Sequence, residues 1–277
     1  MALIDAGHEI GVVVTNPDRR RQRRGELEPN PVKSLAIAHG IAVCERPGDV
    51  LSFDCELGIV VAYGQLIKGD VLERLRLVNV HYSLLPRWRG AAPVERAILA
   101  GDVTTGVCLM GLEEGLDTGP VYACATTGID PEEDLEHLRA RLGQMGNLLL
   151  LGELARGSLA FDHCVAQSGE VTYAHKIGVD DRHLDFGQPA IVAQRKIRVG
   201  RAWTTFRGRR VVIHEARVRD DDGRTTNAAP GLIVDGQVCT PDGLLVPVVV
   251  QSEGRSRMEF SRWLAGVRPE NGEAFGT

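Results

Sequence analysis

Two polar residues interrupt the apolar run "LVNVHYSLLPRWRGAAP" (77–93): Asn79 and His81. In an extended chain, side chains two apart point to the same face, so the amide and the imidazole converge on one side of the strand they occupy. A third group comes from "GLEEGLDTGP" (111–120), a loop with glycines at 111, 115 and 119 and an acid at Asp117. Each feature alone has an ordinary explanation: a lone strand histidine is commonly a satisfied core residue, and Asp-Thr-Gly is a common turn. Together, amide, imidazole and carboxylate can polarise a carbonyl and move a proton without a metal or a covalent intermediate. Other chemistries lack support. No serine or cysteine sits in a nucleophile-elbow pattern, and neither GxGxxG nor a phosphate-binding P-loop is present.

The elements that must position these groups read as an α/β domain. The β-branched apolar stretches "EIGVVVT" (9–15), "ELGIVVAYG" (56–64) and "LRLVNVHYS" (75–83) predict buried parallel strands. Helical segments alternate with them: "ALIDA" ended by Gly7, "VKSLAIAH" ended by Gly40, and "PVERAILA" ended by Gly101. This alternation predicts a mostly parallel, Rossmann-like sheet with right-handed crossovers. Asn79 and His81 then lie near the carboxyl end of a strand, where open α/β sheets bind ligands. A longer helix is expected over 129–154, with Asp130 as N-cap, Pro131 at N1 and Glu133 closing a capping box. Leu135, Leu138, Leu142, Met145 and Leu149 form its apolar face.

After about residue 180 the texture changes to short β-rich runs, "RRVVIHEARV", "GLIVDGQVCT" and "GLLVPVVVQS", separated by turn residues. Strands of this kind predict a small β-barrel of the oligonucleotide-binding (OB-like) type. The expected division is a catalytic domain over 1–167, a linker over 168–180 and the barrel over 181–277.

With 277 residues, 43% of them apolar, the chain has enough material for such cores. Its net charge of −5 is unevenly shared. Residues 1–180 carry 17 Lys and Arg against 25 Asp and Glu, and residues 181–277 carry 15 against 12. A basic C-terminal third on an acidic protein points to a polyanionic partner, with a solvated charged face as the alternative. Two basic stretches stand out. "DRRRQRRGEL" (18–27) packs Arg19, Arg20, Arg21, Arg23 and Arg24 into six residues. "RKIRVGRAWTTFRGRR" (195–210) holds seven cations and no acid, with Trp203 and Phe206 expected in the barrel core. The cysteines at 44, 55, 108, 124, 164 and 239 show no CxxC pair or metal spacing, a pattern that fits reduced thiols in a cytoplasmic protein. No apolar run approaches the length of a membrane span.

The block "NVHYSLLPRWRGAAPVERAILAGDVTTGVCLM" followed by "LDTGP" resembles the core of the formyltransferases that use 10-formyltetrahydrofolate. The stretches "VVTNPDR", "PNPVKSLA", "VVAYGQLI", "TYAHKI", "TNAAPG" and "QSEGRSRM" extend the resemblance over residues 12–258, closest to its methionyl-tRNA branch. The resemblance implies formyl transfer from that folate, the co-substrate, to the amino group of initiator methionyl-tRNA, by a cytoplasmic, monomeric enzyme with no metal. It implies Asn79, His81 and Asp117 as the catalytic trio, with a protonated His81 and Asn79 donating to the developing oxyanion. Ser83, Leu84, Leu85, Pro86, Tyr63, Gly64 and Leu116 are implied as the folate wall. The arginine loop, with Lys176, Arg195 and Lys196, is implied in tRNA binding.

Family members begin with a strand ahead of the helix that "ALIDAGHEI" resembles. That strand is expected to be missing here, which points to a start site upstream. Two alternatives share parts of this pattern. A sugar-nucleotide formyltransferase would use the same trio on another acceptor, and a non-catalytic RNA-binding module would have no need of the trio.

Overall fold

The computed structural model describes residues 1–20, 27–67, 69–157, 163–220 and 228–277. It divides into two compact units, one built from residues 1–93, 105–127 and 141–174, the other from 94–104, 128–140 and 175–277.

In the first unit, two β-α-β passages supply parallel pairs. Strand Val12–Val14 pairs with Ala42–Cys44 in register Val12 to Ala42, and helix Pro31–Ala38 crosses between them. Asn30 fixes the entry to that helix. Its Oδ1 accepts the N–H of Lys33 at 3.0 Å, and its Nδ2 donates to the Asn16 carbonyl at 2.8 Å. The helix ends before Gly40, whose φ of +69° is the left-handed stop that glycine takes without steric cost. Strand Gly58–Val60 likewise runs parallel to Leu77–His81, with helix Gly69–Arg74 between them. Strands Thr104–Gly111 and Val121–Gly128 complete a four-strand sheet in which Leu77–His81 is flanked on both sides, antiparallel to Thr104–Gly111. The run 9–15, expected as a strand buried on both faces, pairs only over Val12–Val14, and these valines are half-buried.

The central strand alternates as a strand between two unlike environments should. Val78 and Val80 are buried on one face, where Val80 and Tyr82 line an apolar cavity of about 240 Å³ with Val13, Leu35, Ile59 and Leu150. Asn79 and His81 face the other way.

The long helix runs from Leu135 to Leu154, so it begins later than the sequence suggests. Asp130 closes a separate turn, accepting the N–H of Glu132 through its side chain and that of Glu133 through its carbonyl. Asp134 is the cap, its Oδ1 accepting the N–H of His137 at 2.9 Å. Leu135, Leu138 and Leu142 are buried as the periodicity requires.

The second unit is built on a six-strand antiparallel sheet ordered Ala202–Phe206, Arg209–Arg219, Leu244–Ser252, Gln237–Cys239 and Ile233–Val234, with Met258–Glu259 also on Leu244–Ser252. The sheet path is open, a barrel-type sheet of the class expected. Helix Ala190–Val199 and helix Phe260–Val267 belong to this unit, and their Ala190, Ala193, Ile197, Phe260 and Trp263 join the core of the sheet. Phe206 is in that core. Trp203 is half-buried, with the Arg210 guanidinium 4.4 Å over its ring.

Candidate active site

Strand Leu77–His81 holds its two polar residues in fixed register, Asn79 opposite Met110 and His81 opposite Cys108. His81 is 5% exposed, with one ring nitrogen fastened and the other facing a carboxylate. Nε2 lies 3.0 Å from the Trp88 carbonyl oxygen, which can only accept, so Nε2 carries the proton. Nδ1 faces Asp117, 3.7 Å from Oδ2. The same carboxylate oxygen accepts the N–H of Gly90 at 2.8 Å. The two residues that flank the ring are backbone outliers for side-chain-bearing residues, Trp88 at φ +63° and Asp117 at φ +49°.

The loop that carries Asp117 is closed by the N–H of Gly111 on the Pro120 carbonyl at 2.9 Å. Gly119 presses so closely on the Gly111 carbonyl that any Cβ there would collide with it, which accounts for the glycine.

Burial holds the His81 imidazole below its ordinary pKa and outweighs the opposing pull of Asp117 and the Trp88 carbonyl. The ring is therefore neutral at neutral pH, with Nδ1 as an open lone pair. This corrects the expectation of a histidine kept charged by Asp117: the carboxylate is too far for a direct hydrogen bond, and its nearer oxygen is shared with Gly90. Asn79 is half-buried, and its amide makes no side-chain hydrogen bond among the described residues. Its two N–H donors are uncommitted.

The residues implied as a folate wall fall into two groups. Ser83 and Pro86 are buried inside a turn in which the Ser83 hydroxyl donates to the Arg87 carbonyl at 2.5 Å and the Leu85–Pro86 peptide is cis. These two residues brace the turn, while Leu84 and Leu85 are half-buried. Gly106 lies where a Cβ would collide with Leu84. Tyr63 and Gly64 lie just past the carboxyl end of strand Gly58–Val60, Gly64 at φ +72°. Burial raises the Tyr63 phenol pKa. Leu116, 60% exposed, stands next to Asp117.

The basic residues are less uniform than the sequence suggests. Arg19–Arg20 forms a two-residue strand paired with Leu27–Glu28, and Arg21, Arg23 and Arg24 lie outside the described residues. Arg20 and Lys176 are exposed. Lys196 is committed inside its own unit, its Nζ donating to the His183 carbonyl at 2.7 Å. The Arg195 guanidinium packs over Gly101, and a Cβ there would make it shift.

Two features escaped the sequence reading. Cys108 and Cys124, taken there as reduced thiols, form a disulfide between neighbouring strands, their Cα atoms 4.2 Å apart. That approach is typical of facing residues on adjacent strands and leaves no mark in cysteine spacing. Trp88 is the second: its carbonyl fixes the His81 ring, a role no side-chain motif announces. No group of three His, Cys, Asp or Glu able to hold a metal ion occurs among the described residues, nor does a helix long and apolar enough to cross a membrane.

Comparison with known proteins sets the class. Residues 1–153 match the formyl transferase domain model, and residues 176–268 match that of the formyl transferase C-terminal domain. A protein of Symbiobacterium thermophilum named methionyl-tRNA formyltransferase is 38% identical over 296 residues, covering 99% of this chain and 90% of the relative. A protein of the same name from Ectopseudomonas mendocina is 37% identical, covering 94% and 88%. The fold is shared with the methionyl-tRNA formyltransferase from Clostridium thermocellum, at a TM-score of 0.50 and 16% identity, covering 66% and 83% of the two chains. It is also shared with the N-formyltransferase from Helicobacter canadensis in complex with folinic acid and dTDP-3-aminofucose, at 0.62 and 13%, covering 85% and 88%. The chain belongs to the methionyl-tRNA formyltransferase family.

Proposed function

We propose that this protein transfers the formyl group of 10-formyltetrahydrofolate to the free amino group of the methionyl moiety of initiator methionyl-tRNA, for translation initiation. The observation that carries this reading is the near-full-length likeness, at 36–39% identity, to relatives bearing that name. The likeness spans both domains, which favours a large acceptor over a small one.

The side chains suit the reaction. The amine nitrogen attacks the formyl carbon, and the carbonyl electrons move to its oxygen. The uncommitted Asn79 amide donates to that oxygen; loss of such a donor typically costs ~10²–10³ in rate. Neutral His81 takes the proton leaving the amine on Nδ1, and Asp117 stabilises the imidazolium that results. As the intermediate collapses, the bond from the formyl carbon to N10 of the folate breaks, and His81 returns the proton to N10. These steps use side chains alone. The folate lies against Leu84, Leu85, Tyr63, Gly64 and Leu116, with Ser83 and Pro86 fixing the turn. The contacts to tRNA fall to Arg19, Arg20, Arg21, Arg23 and Arg24 in one unit and to Lys176, Arg195 and Lys196 in the other. The enzyme acts as a cytoplasmic monomer.

The test supplies purified protein and 10-formyltetrahydrofolate with charged initiator tRNA, and separately with an amino-sugar nucleotide. Formylmethionyl-tRNA is the expected product. Formylation of the sugar alone would replace this reading with the sugar-nucleotide one, and no transfer to either would remove the activity altogether.

A further inference from the structure

The segment expected to link the two domains starts right after Gln167, and Gln167 uses every hydrogen-bonding site it has. Its Nε2 donates to the Asp117 carbonyl and to the Gly119 carbonyl, each at 2.8 Å. Its Oε1 accepts from Arg89 Nε at 3.0 Å and from the Arg89 terminal nitrogen at 2.7 Å. A primary amide offers two donor hydrogens and two acceptor lone pairs, and here all four are matched. One side chain thus ties the loop that carries Asp117 to the segment 88–90.

That segment holds the rest of the site. The Trp88 carbonyl fixes His81 Nε2, and the Gly90 N–H fixes Asp117 Oδ2. The chain just beyond Gln167 grips it again. Thr172 accepts the Trp88 N–H through its hydroxyl at 2.9 Å and the Arg89 N–H through its carbonyl at 2.9 Å, and Tyr173–Ala174 pairs in parallel with Arg89–Gly90. Trp88 and Asp117 carry side chains yet sit in left-handed backbone, and such conformations persist only where surrounding contacts over-determine them. Residues 167–174 supply several of the contacts that do so, beside the Gly90 and Gly111 hydrogen bonds.

We propose that Gln167 is a positioning residue: it fixes the Asp117 loop against the Arg89 segment and thereby sets the separation of the Asp117 carboxylate from His81 Nδ1. This rests on the formyl-transfer reading only for its kinetic consequence; the geometric claim concerns the imidazole itself. A packing role for Gln167 would require the volume of the side chain but not its four polar contacts.

Two variants separate these roles. Gln167→Met keeps length and volume and removes all four hydrogen bonds. Gln167→Glu keeps the acceptors for Arg89 but replaces the donors to the Asp117 and Gly119 carbonyls with a charged oxygen. The first readout is an NMR titration of the His81 ring in wild type and both variants, which needs no substrate. Asp117 pulls the His81 pKa upward, so loosening it lowers that pKa further in Gln167→Met; in Gln167→Glu the new carboxylate opposes that shift, so the titration is decided on Gln167→Met. The second readout is formyl transfer: kcat falls roughly 10–100-fold, as expected for a misplacement of about an ångström, while KM for folate and tRNA stays within about threefold of wild type. A His81 titration unmoved or shifted upward in folded Gln167→Met overturns the proposal, whatever the kinetics. Wild-type protein that transfers no formyl group overturns the functional reading instead, and leaves the titration result to decide the positioning role.

Discussion

In the unit that carries Asn79, His81 and Asp117, three of the strands span only three residues each: Val12–Val14, Ala42–Cys44 and Gly58–Val60. In the other unit, Arg209–Arg219 and Leu244–Ser252 run for 11 and 9 residues and pair along most of their length. Their core is aromatic: Phe206, Phe260, Trp263 and Phe275 stack or meet edge to face with ring centroids 5.1–6.2 Å apart. Among the described residues, the unit with Asn79, His81 and Asp117 has no such cluster around them and holds its loops by hydrogen bonds from Gln167, Thr172, Gly90 and Asn30. The contrast teaches a division of labour. Apolar packing is non-directional and tolerates small shifts, whereas a site that must place an oxygen and a nitrogen to within an ångström needs directional contacts.

Substitutions can break that contrast from either side. The largest effect belongs to the site: Asp117→Asn should nearly abolish formyl transfer while folate binding and thermal melting stay close to wild type. A variant that retains activity would sink the assignment of Asp117. On the other side, Trp263→Ala removes a ring that is 3% exposed and whose N–H donates to the Ser252 hydroxyl, so it should cost about 3–5 kcal/mol by denaturant unfolding. If its melting equals that of wild type, the second unit does not depend on its aromatic core.

The third test uses pH. His81 is held below its ordinary pKa in the folded protein, so the unfolded chain binds the proton more readily. Its contribution to stability is complete above about pH 6.5 and is lost as the pH falls below that value toward the folded pKa. Urea unfolding between pH 7.5 and 5 should show this acid slope in wild type and a shallower one in His81→Gln; parallel slopes would refute the burial argument. The smallest effect is at a helix entry: Asn30→Ala removes the cap of helix Pro31–Ala38 and should cost ~1 kcal/mol. A loss several times larger would mean that the Asn30 bond to Asn16 carries more of the strand's stability than the cap does.

Much of this was legible in the residues because its cause is local. The alternation in "VNVH" placed Asn79 and His81 on one face, and the glycines around Asp117 marked a tight loop before its geometry was known. The long strands after residue 200 followed from β-branched runs between turns. What stayed hidden depends on contacts between distant segments. Gln167 lies 50 positions from Asp117, and nothing in its neighbours separates it from an ordinary surface glutamine. The disulfide needed the pairing of two strands. The neutral state of His81 needed the balance between burial and a carboxylate 3.7 Å away. The late start of the long helix was a local error of a different kind, since Asp130 and Asp134 are both good caps and the sequence alone does not rank them.

The two-faced strand Leu77–His81 also makes one place in the chain unusually sensitive to a change in length. Inserting or deleting a single residue within it would still leave a β-strand, because the backbone pairing is indifferent to which side chain it carries. The change would exchange the faces, however, turning the amide and imidazole into the apolar cavity and the valines toward Asp117. Such a variant could keep its secondary structure while losing its chemistry.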